Sequence, residues 1–239
     1  KCVIEARMGS KRLPNKSMKL LTSNYRLIDF TILNALGSKY LNKKNIFLLT
    51  SKKKENLKLV KHVKKKYKIQ IVEGSELNVF SRYSLFKSLK NFPLLRLTAD
   101  NPLIDPLLID RFVDYFKKSK SDYLTTRAMS HSKVWKIKSD FQKGVSLEIF
   151  NSDKLFINNK KFNINNQDSP TWFFFNKMFK AKIKKFPSFS FYRKNKHNLS
   201  LTIDTKEDFL RVKKFMKQNK CTPGTNNVYK YYKKNYYTS

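Results

Sequence analysis

The chain has 239 residues, 40% of them hydrophobic with 20 Phe and 12 Tyr, which is enough to bury a sizeable core and too aromatic for a disordered chain. Its 52 Lys+Arg against 17 Asp+Glu give a net charge of +35, yet the lysines run through almost every segment, so the surplus reads as compositional drift and no nucleic-acid partner is expected. Two cysteines without a C-x-x-C pair and three scattered histidines exclude a zinc motif and a disulfide framework, and no apolar run nears the roughly 18 residues of a membrane span, so a cytoplasmic protein is expected.

In chain order, Cys2–Glu5 reads as a strand, followed by "ARMGSKRLPNK" at 6–16. A glycine-serine turn beyond a strand lies where an α/β sheet places its ligand crevice. Gly9 permits close backbone approach and a positive φ, Ser10 offers a hydroxyl, and Arg7, Arg12 and Lys16 offer charge. Loop amides here are expected to form an anion nest, and Pro14 to stiffen the approach of Lys16. The alternative is a solvated basic loop; it is not a P-loop, since G-x-x-x-x-G-K-[ST] is absent.

A helix over 26–36 is expected from Ile28, Ile32, Ala35 and Leu36, a strand over 45–50, a helix over 55–67 from Leu57, Val60, Val63 and Tyr67, and a strand over 69–73. A helix over 78–91 follows from Val79, Tyr83, Phe86 and Leu89 or Lys90, then a strand over 94–98. Asp105 and Pro106 read as the cap and first turn of a helix carrying Ile109, Phe112, Val113 and Phe116. Strands at 122–126, 144–150 and 199–204 and helices at 153–159, 170–179 and from Thr205 onward complete the pattern, the last with a Thr205/Asp208 capping box. Alternating strands and helices imply βαβ units and a mostly parallel sheet.

Asp100 and Asp204 each end an apolar strand, in "LRLTAD" and "LSLTID". Mg²⁺ takes one or two protein carboxylates and fills its other positions with water and substrate phosphates, so the pair reads as a metal site. The competing readings are a turn at Asp100 and a helix start at Asp204.

Four ordered segments resemble the cytidylyltransferases that activate acidic sugars as CMP conjugates: "ARMGSKRLPNK" (6–16), "GSELNVFSRY" (74–83), "DNPLIDP" (100–106) and "LTIDTKEDF" (201–209). The resemblance covers positions 2 to about 216. It implies a three-layer α/β/α nucleotide-diphospho-sugar transferase fold, Rossmann-like, with a mostly parallel mixed sheet. It implies a Mg²⁺-dependent transfer of CMP from CTP to a sugar, with pyrophosphate leaving, for surface glycan synthesis. Arg7, Gly9, Ser10, Arg12 and Lys16 would cradle the triphosphate, Asp100 and Asp204 would hold the metal, and Ala6, Arg82 and Asn101 would contact base or ribose. The catalytic set is then Arg7, Arg12, Lys16, Asp100 and Asp204. Residues 1–220 would form the nucleotidyltransferase domain, with 127–200 binding the acceptor and pairing two copies into a homodimer, and 221–239 a basic, Tyr-rich tail. The family carries a Glu-His-Val-Thr-like stretch for the acceptor, whose nearest counterpart is "DSPT" at 168–171, without His. Another nucleoside triphosphate, a sugar-phosphate acceptor and nucleic-acid binding stand as alternatives.

Overall fold

The computed structural model describes residues 1–88, 92–126, 129–131, 135–137, 141, 143–157, 183–186 and 200–225. Its centre is a seven-stranded mixed sheet. The first half alternates as expected: β1 (Cys2–Glu5), α1 (Leu27–Leu36), β2 (Ile46–Ser51), α2 (Leu57–Tyr67), β3 (Gln70–Gly74), β4 (Pro93–Thr98) and α3 (Pro106–Ser119). β5 (Tyr123–Thr125) follows, then a small antiparallel pair, β6 (Met129–His131) and β7 (Trp135–Ile137). β8 (Glu148–Asn151), α4 (Ser152–Ile157), β9 (Ile183–Lys185) and α5 (Lys206–Gln218) complete the described elements.

The strand order is β3-β2-β1-β4-β8-β5-β9. β1 pairs in parallel with β2 and β4, β2 with β3, and β5 with β9, while β8 runs antiparallel to both neighbours. The chain winds outward from β1 to β3 and then returns to place β4 on the other side of β1. That reversal is a topological switch point, and it opens a crevice at the carboxyl ends of β1 and β4.

Helices and loops cover both faces, so the inner strands carry near-continuous apolar runs. Alternate residues serve opposite faces. Cys2, Ile4, Ile46 and Leu48 pack with side chains of α1, α2, α3 and α5. Val3, Phe47 and Leu49 pack with Phe80, Tyr83 and Phe86 and with Leu155 of α4. This is the three-layer arrangement expected from the resemblance.

Several expectations are corrected. Residues 79–86 form a 3-10 helix, because Phe80, Tyr83 and Phe86 recur every three residues and eclipse on the buried face at that pitch. Leu57, expected on a buried face, is 50% exposed, and Leu59 takes the inward place. The strand expected over 144–150 begins only at Glu148, since Thr126 Oγ1 accepts from the Leu147 amide and donates to the Val145 carbonyl in place of a ladder partner. Residues 201–204 form no regular strand: Leu201 N donates to Lys143 and Ile203 N to Asp100, single bonds to two different segments. Asp105 sits at the N-cap of α3 with Pro106 behind it but makes no side-chain cap bond, whereas the Thr205/Asp208 capping box of α5 forms in full. The helix expected over 170–179, Asp168–Thr171, Leu89 and Lys90, most of the 127–200 segment assigned to acceptor binding and dimerisation, and the tail beyond Thr225 lie outside the described residues. Among the described residues no helix is long and apolar enough to cross a membrane.

Candidate active site

The loop after β1 is held by side chains from other elements. Met8 N donates to Asn56 Oδ1 at 2.8 Å, while Asn56, fully buried, donates to Ser51 O and Ser51 Oγ at the end of β2. Ser17 Oγ donates to Arg7 O at 3.1 Å. Inside the loop, the Ser10 and Asn15 amides both go to Met8 O and the Leu13 amide goes to Ser10 Oγ. These amides are consumed internally, so the expected nest does not use them. The left-handed residue is Asn15 (φ 57), not Gly9. What Gly9 supplies is room: a Cβ there would fall 2.5 Å from Glu55 Oε1.

A cavity of about 690 Å³ opens at the switch point. Ala6, Arg7, Gly9, Ser10, Arg12, Lys16, Arg82, Asp100 and Asp204 all border it, so nine of the ten residue positions expected from the sequence converge. Asn101 does not border it: it is 5% exposed, and its amide is turned into the protein.

The two distant aspartates meet at Lys16. Lys16 Nζ lies 3.6 Å from Asp100 Oδ2 and 3.5 Å from Asp204 Oδ1, and donates to Ile203 O at 2.8 Å. Arg12 reaches Asp204 Oδ1 at 3.2 Å. The backbone bond from Ile203 N to Asp100 O, 2.9 Å, brings the two segments together. Among the described residues no group of three or more His, Cys, Asp or Glu side chains gathers as a metal site. A hard divalent ion asks less than that, one or two carboxylates with water and phosphate oxygens. Lys16 Nζ stands 3.6 and 3.5 Å from the two carboxylates, so two oxygen donors of the kind such a cation takes face one place.

Arg7 donates to Glu76 Oε1 at 2.7 Å. Burial works to raise the Glu76 pKa, but hydrogen bonds from Ser51 and Arg7 outweigh it and hold the carboxyl below its ordinary range. Arg82, 3% exposed, donates to Ser75 O at 2.9 Å and Glu76 O at 3.2 Å; burial pulls its pKa down against the nearby Glu5 and Glu76 charges. Arg7, Arg12 and Lys16 are each paired with a carboxylate. A polyphosphate can take over those cations.

Beneath the cavity lies a charged network that spacing alone did not reveal. Arg96 NH2 holds Glu5 Oε2 at 2.6 Å, and Arg96 NH1 contacts Glu148. Tyr83 donates to Glu5 Oε1 at 2.7 Å, and Tyr123 donates to Glu148. Burial lowers the Arg96 pKa, but Glu5 and Glu148 raise it further, so the guanidinium stays charged. Glu5, Arg96, Lys53 and Glu76 all border the cavity and were missed. The available signals were Glu76 inside the "GSE" segment and a lone arginine within the apolar run of β4.

The solved structure of a cytidylyltransferase from Leptospira borgpetersenii serovar Hardjo-bovis superposes with a TM-score of 0.80 at 24% identity, covering 98% of this chain and 93% of that one. A CMP:2-keto-3-deoxy-manno-octonic acid synthetase solved with CTP superposes with a TM-score of 0.60 at 13% identity, over 91% of this chain and 98% of that one. At these identities the likeness speaks for the fold. The spore coat polysaccharide biosynthesis protein SpsF of Bacillus subtilis is 36% identical over 124 residues, which is 51% of this chain and 51% of that protein, so the match spans about half of each. An uncharacterized protein of Methanocaldococcus jannaschii, MJ1063, is 29% identical over 211 residues, 87% of this chain and 79% of that one. The family model described as Cytidylyltransferase matches residues 1–235, and the chain, with its loop of cations facing two aspartates across a switch-point crevice, belongs to that family of nucleotidyltransferase enzymes.

Proposed function

We propose that the chain transfers CMP from CTP to a sugar, an acidic one, with release of pyrophosphate and with Mg²⁺ as the metal, in the cytoplasm and for surface glycan synthesis. The observation that carries this reading is the meeting of Asp100 and Asp204 at Lys16, with separations of 3.6 and 3.5 Å. Support for the donor comes from family membership. Support for the acceptor comes from the CMP-sugar-acid synthetase among the structural neighbours and from the SpsF relative.

In the reaction the acceptor hydroxyl loses its proton to solvent and its oxygen forms a bond to the α-phosphorus as the bond from that phosphorus to the bridging oxygen breaks, and pyrophosphate leaves. Bound Mg²⁺ would polarise phosphate oxygens, with Asp100 and Asp204 as its protein ligands. The chain's own task is positioning and charge stabilisation. Lys16, released from the aspartates, turns its point charge to the phosphates. Arg7 and Arg12 exchange Glu76 and Asp204 for phosphate oxygens, and Gly9 gives the Glu55 carboxylate its place beside the loop. Glu5 and Arg96, paired at 2.6 Å, line the same cavity.

The test is pyrophosphate release from CTP with Mg²⁺ and a panel of acidic sugars. Asp100→Ala should lower the rate by at least about 10²-fold, the scale for an aligned group stabilising transition-state charge. Persistent release from that variant would remove Asp100 from the mechanism. Thermal shifts with CTP, UTP, GTP and ATP test the donor: stabilisation by another triphosphate in preference to CTP would overturn the CMP assignment.

A further inference from the structure

We propose that Asn101 and Thr202 form a clasp that presets Asp100 for its cation, making Asn101 a positioning residue and not a contact to the nucleotide. The inference rests on the reading of Asp100 and Asp204 as the metal ligands.

The argument starts from the two oxygens of Asp100. Oδ1 accepts from Asn101 Nδ2 at 3.1 Å. Oδ2 faces Lys16 Nζ at 3.6 Å, the place where a cation would stand. The amide therefore holds one carboxylate oxygen and leaves the other for the site. The second Asn101 N–H donates to Thr98 Oγ1 at 2.7 Å, and Asn101 Oδ1 accepts from Thr202 Oγ1 at 3.0 Å. Both donors of the amide are thus used, none remains for a base or ribose, and Asn101 is absent from the cavity wall. The orientation of the amide is dictated by charge: flipped, its oxygen would face the Asp100 carboxylate.

Thr202 lies two residues before Asp204, in a segment with no strand ladder. The described bonds between that segment and the Asp100 turn are two, the backbone bond from Ile203 N to Asp100 O at 2.9 Å and the Thr202–Asn101 bond. One fixes the main chain. The other links the Thr202 side chain to the amide that orients Asp100. Groups that orient a metal ligand in this way change metal affinity by about 10–100-fold when removed.

The experiment titrates Mn²⁺ into the full chain with CTP and no acceptor, following the bound ion by electron paramagnetic resonance. CTP binding is measured separately in EDTA. Asn101→Ala should weaken Mn²⁺ by about 10–100-fold. Thr202→Val, which keeps the shape and removes the hydroxyl, should weaken it several-fold, on the order of one lost hydrogen bond of about 1 kcal/mol. CTP affinity in EDTA should stay within about twofold, a difference well under 1 kcal/mol. A purely structural role would weaken both. Mn²⁺ affinity within about twofold of wild type in folded variants overturns the clasp, as does an equal loss of metal-free CTP binding. If Asn101→Ala fails to fold, Thr202→Val decides alone. Asp100→Asn separates the two readings: loss of Mn²⁺ there, with no change in the clasp variants, refutes the clasp and keeps the metal site. A wild-type chain that binds no Mn²⁺ with CTP refutes both.

Discussion

Arg96→Met is expected to destabilise the fold by about 3–5 kcal/mol at neutral pH, the range for removing one partner of a buried ion pair. Methionine keeps much of the arginine's volume, so repacking contributes less than about 1.5 kcal/mol. The larger loss is electrostatic. The guanidinium is 6% exposed and serves two carboxylates, Glu5, 12% exposed, and Glu148, 2% exposed. Without it, the buried Glu148 loses the guanidinium that faces it and keeps the Tyr123 hydroxyl as a donor. A buried carboxyl in that state has a folded pKa above its unfolded value of about 4.3. Folding then takes up a proton, so the variant keeps most of its stability below about pH 4 and loses it as the pH rises toward neutrality. Urea unfolding of both proteins from about pH 5 to pH 8 measures this. Adding Glu148→Gln to the variant should recover part of the loss, as expected for coupled neighbours. A deficit under about 1 kcal/mol at neutral pH, or one that does not grow with pH, would refute the argument, since the network would then be no more than a surface-type pair.

Two further outcomes concern the ends of the site. Asp208 is hydrogen-bonded by Arg211 and by the Asp204 and Thr205 amides, which outweigh its burial and hold its pKa at about 2, so its contribution is present above the unfolded value of about 3.9 and is lost as pH falls toward about 2. Thr205→Ala should cost about 1 kcal/mol by removing the cap of α5, and acid titrations of wild type and Asp208→Asn, followed by circular dichroism, should coincide at the bottom of that window and diverge as the pH rises through it. Glu76→Gln should cost on the order of 1 kcal/mol, because its carboxylate, 11% exposed, accepts from Ser51 as well as Arg7 and faces the buried Arg82. The same change should tighten CTP several-fold in a binding titration by freeing Arg7 for phosphate; weaker CTP binding would show instead that Glu76 supports the nucleotide.

The first half of the chain was legible because its strands are buried on both faces and its helices carry one clear apolar stripe. β1, β2, β4 and α3 fall within a residue or so of where the patterns place them. The 3-10 helix at 79–86 was read as a longer helix because Val79, Tyr83 and Phe86 keep the four-and-three spacing of an α-helix, whereas the side chains that are buried, Phe80, Tyr83 and Phe86, keep a strict spacing of three. Residues 201–204 look like a strand because they alternate, but alternation reports burial and not whether a ladder partner is at hand. Arg7, Arg12, Lys16, Asp100 and Asp204 were legible because each stands in a loop or turn, where a charged side chain has no packing role. Arg96 was not, because a charge inside an apolar strand declares itself only when its cross-strand partner is known, here Glu148 through the β4–β8 register. Asn101 was expected at the base or ribose, and its amide turns to Thr98, Asp100 and Thr202, a direction that sequence cannot give.

The contact between Lys16 and the Ile203 carbonyl joins positions 187 residues apart. A chain emerging from the ribosome can complete its first βαβ units early, but the catalytic crevice stays open on one side until the segment around Asp204 has been synthesised and threaded back. A chain that stops short of that segment lacks the Ile203 carbonyl and the Asp204 carboxylate that Lys16 faces, so the crevice is completed only late in synthesis.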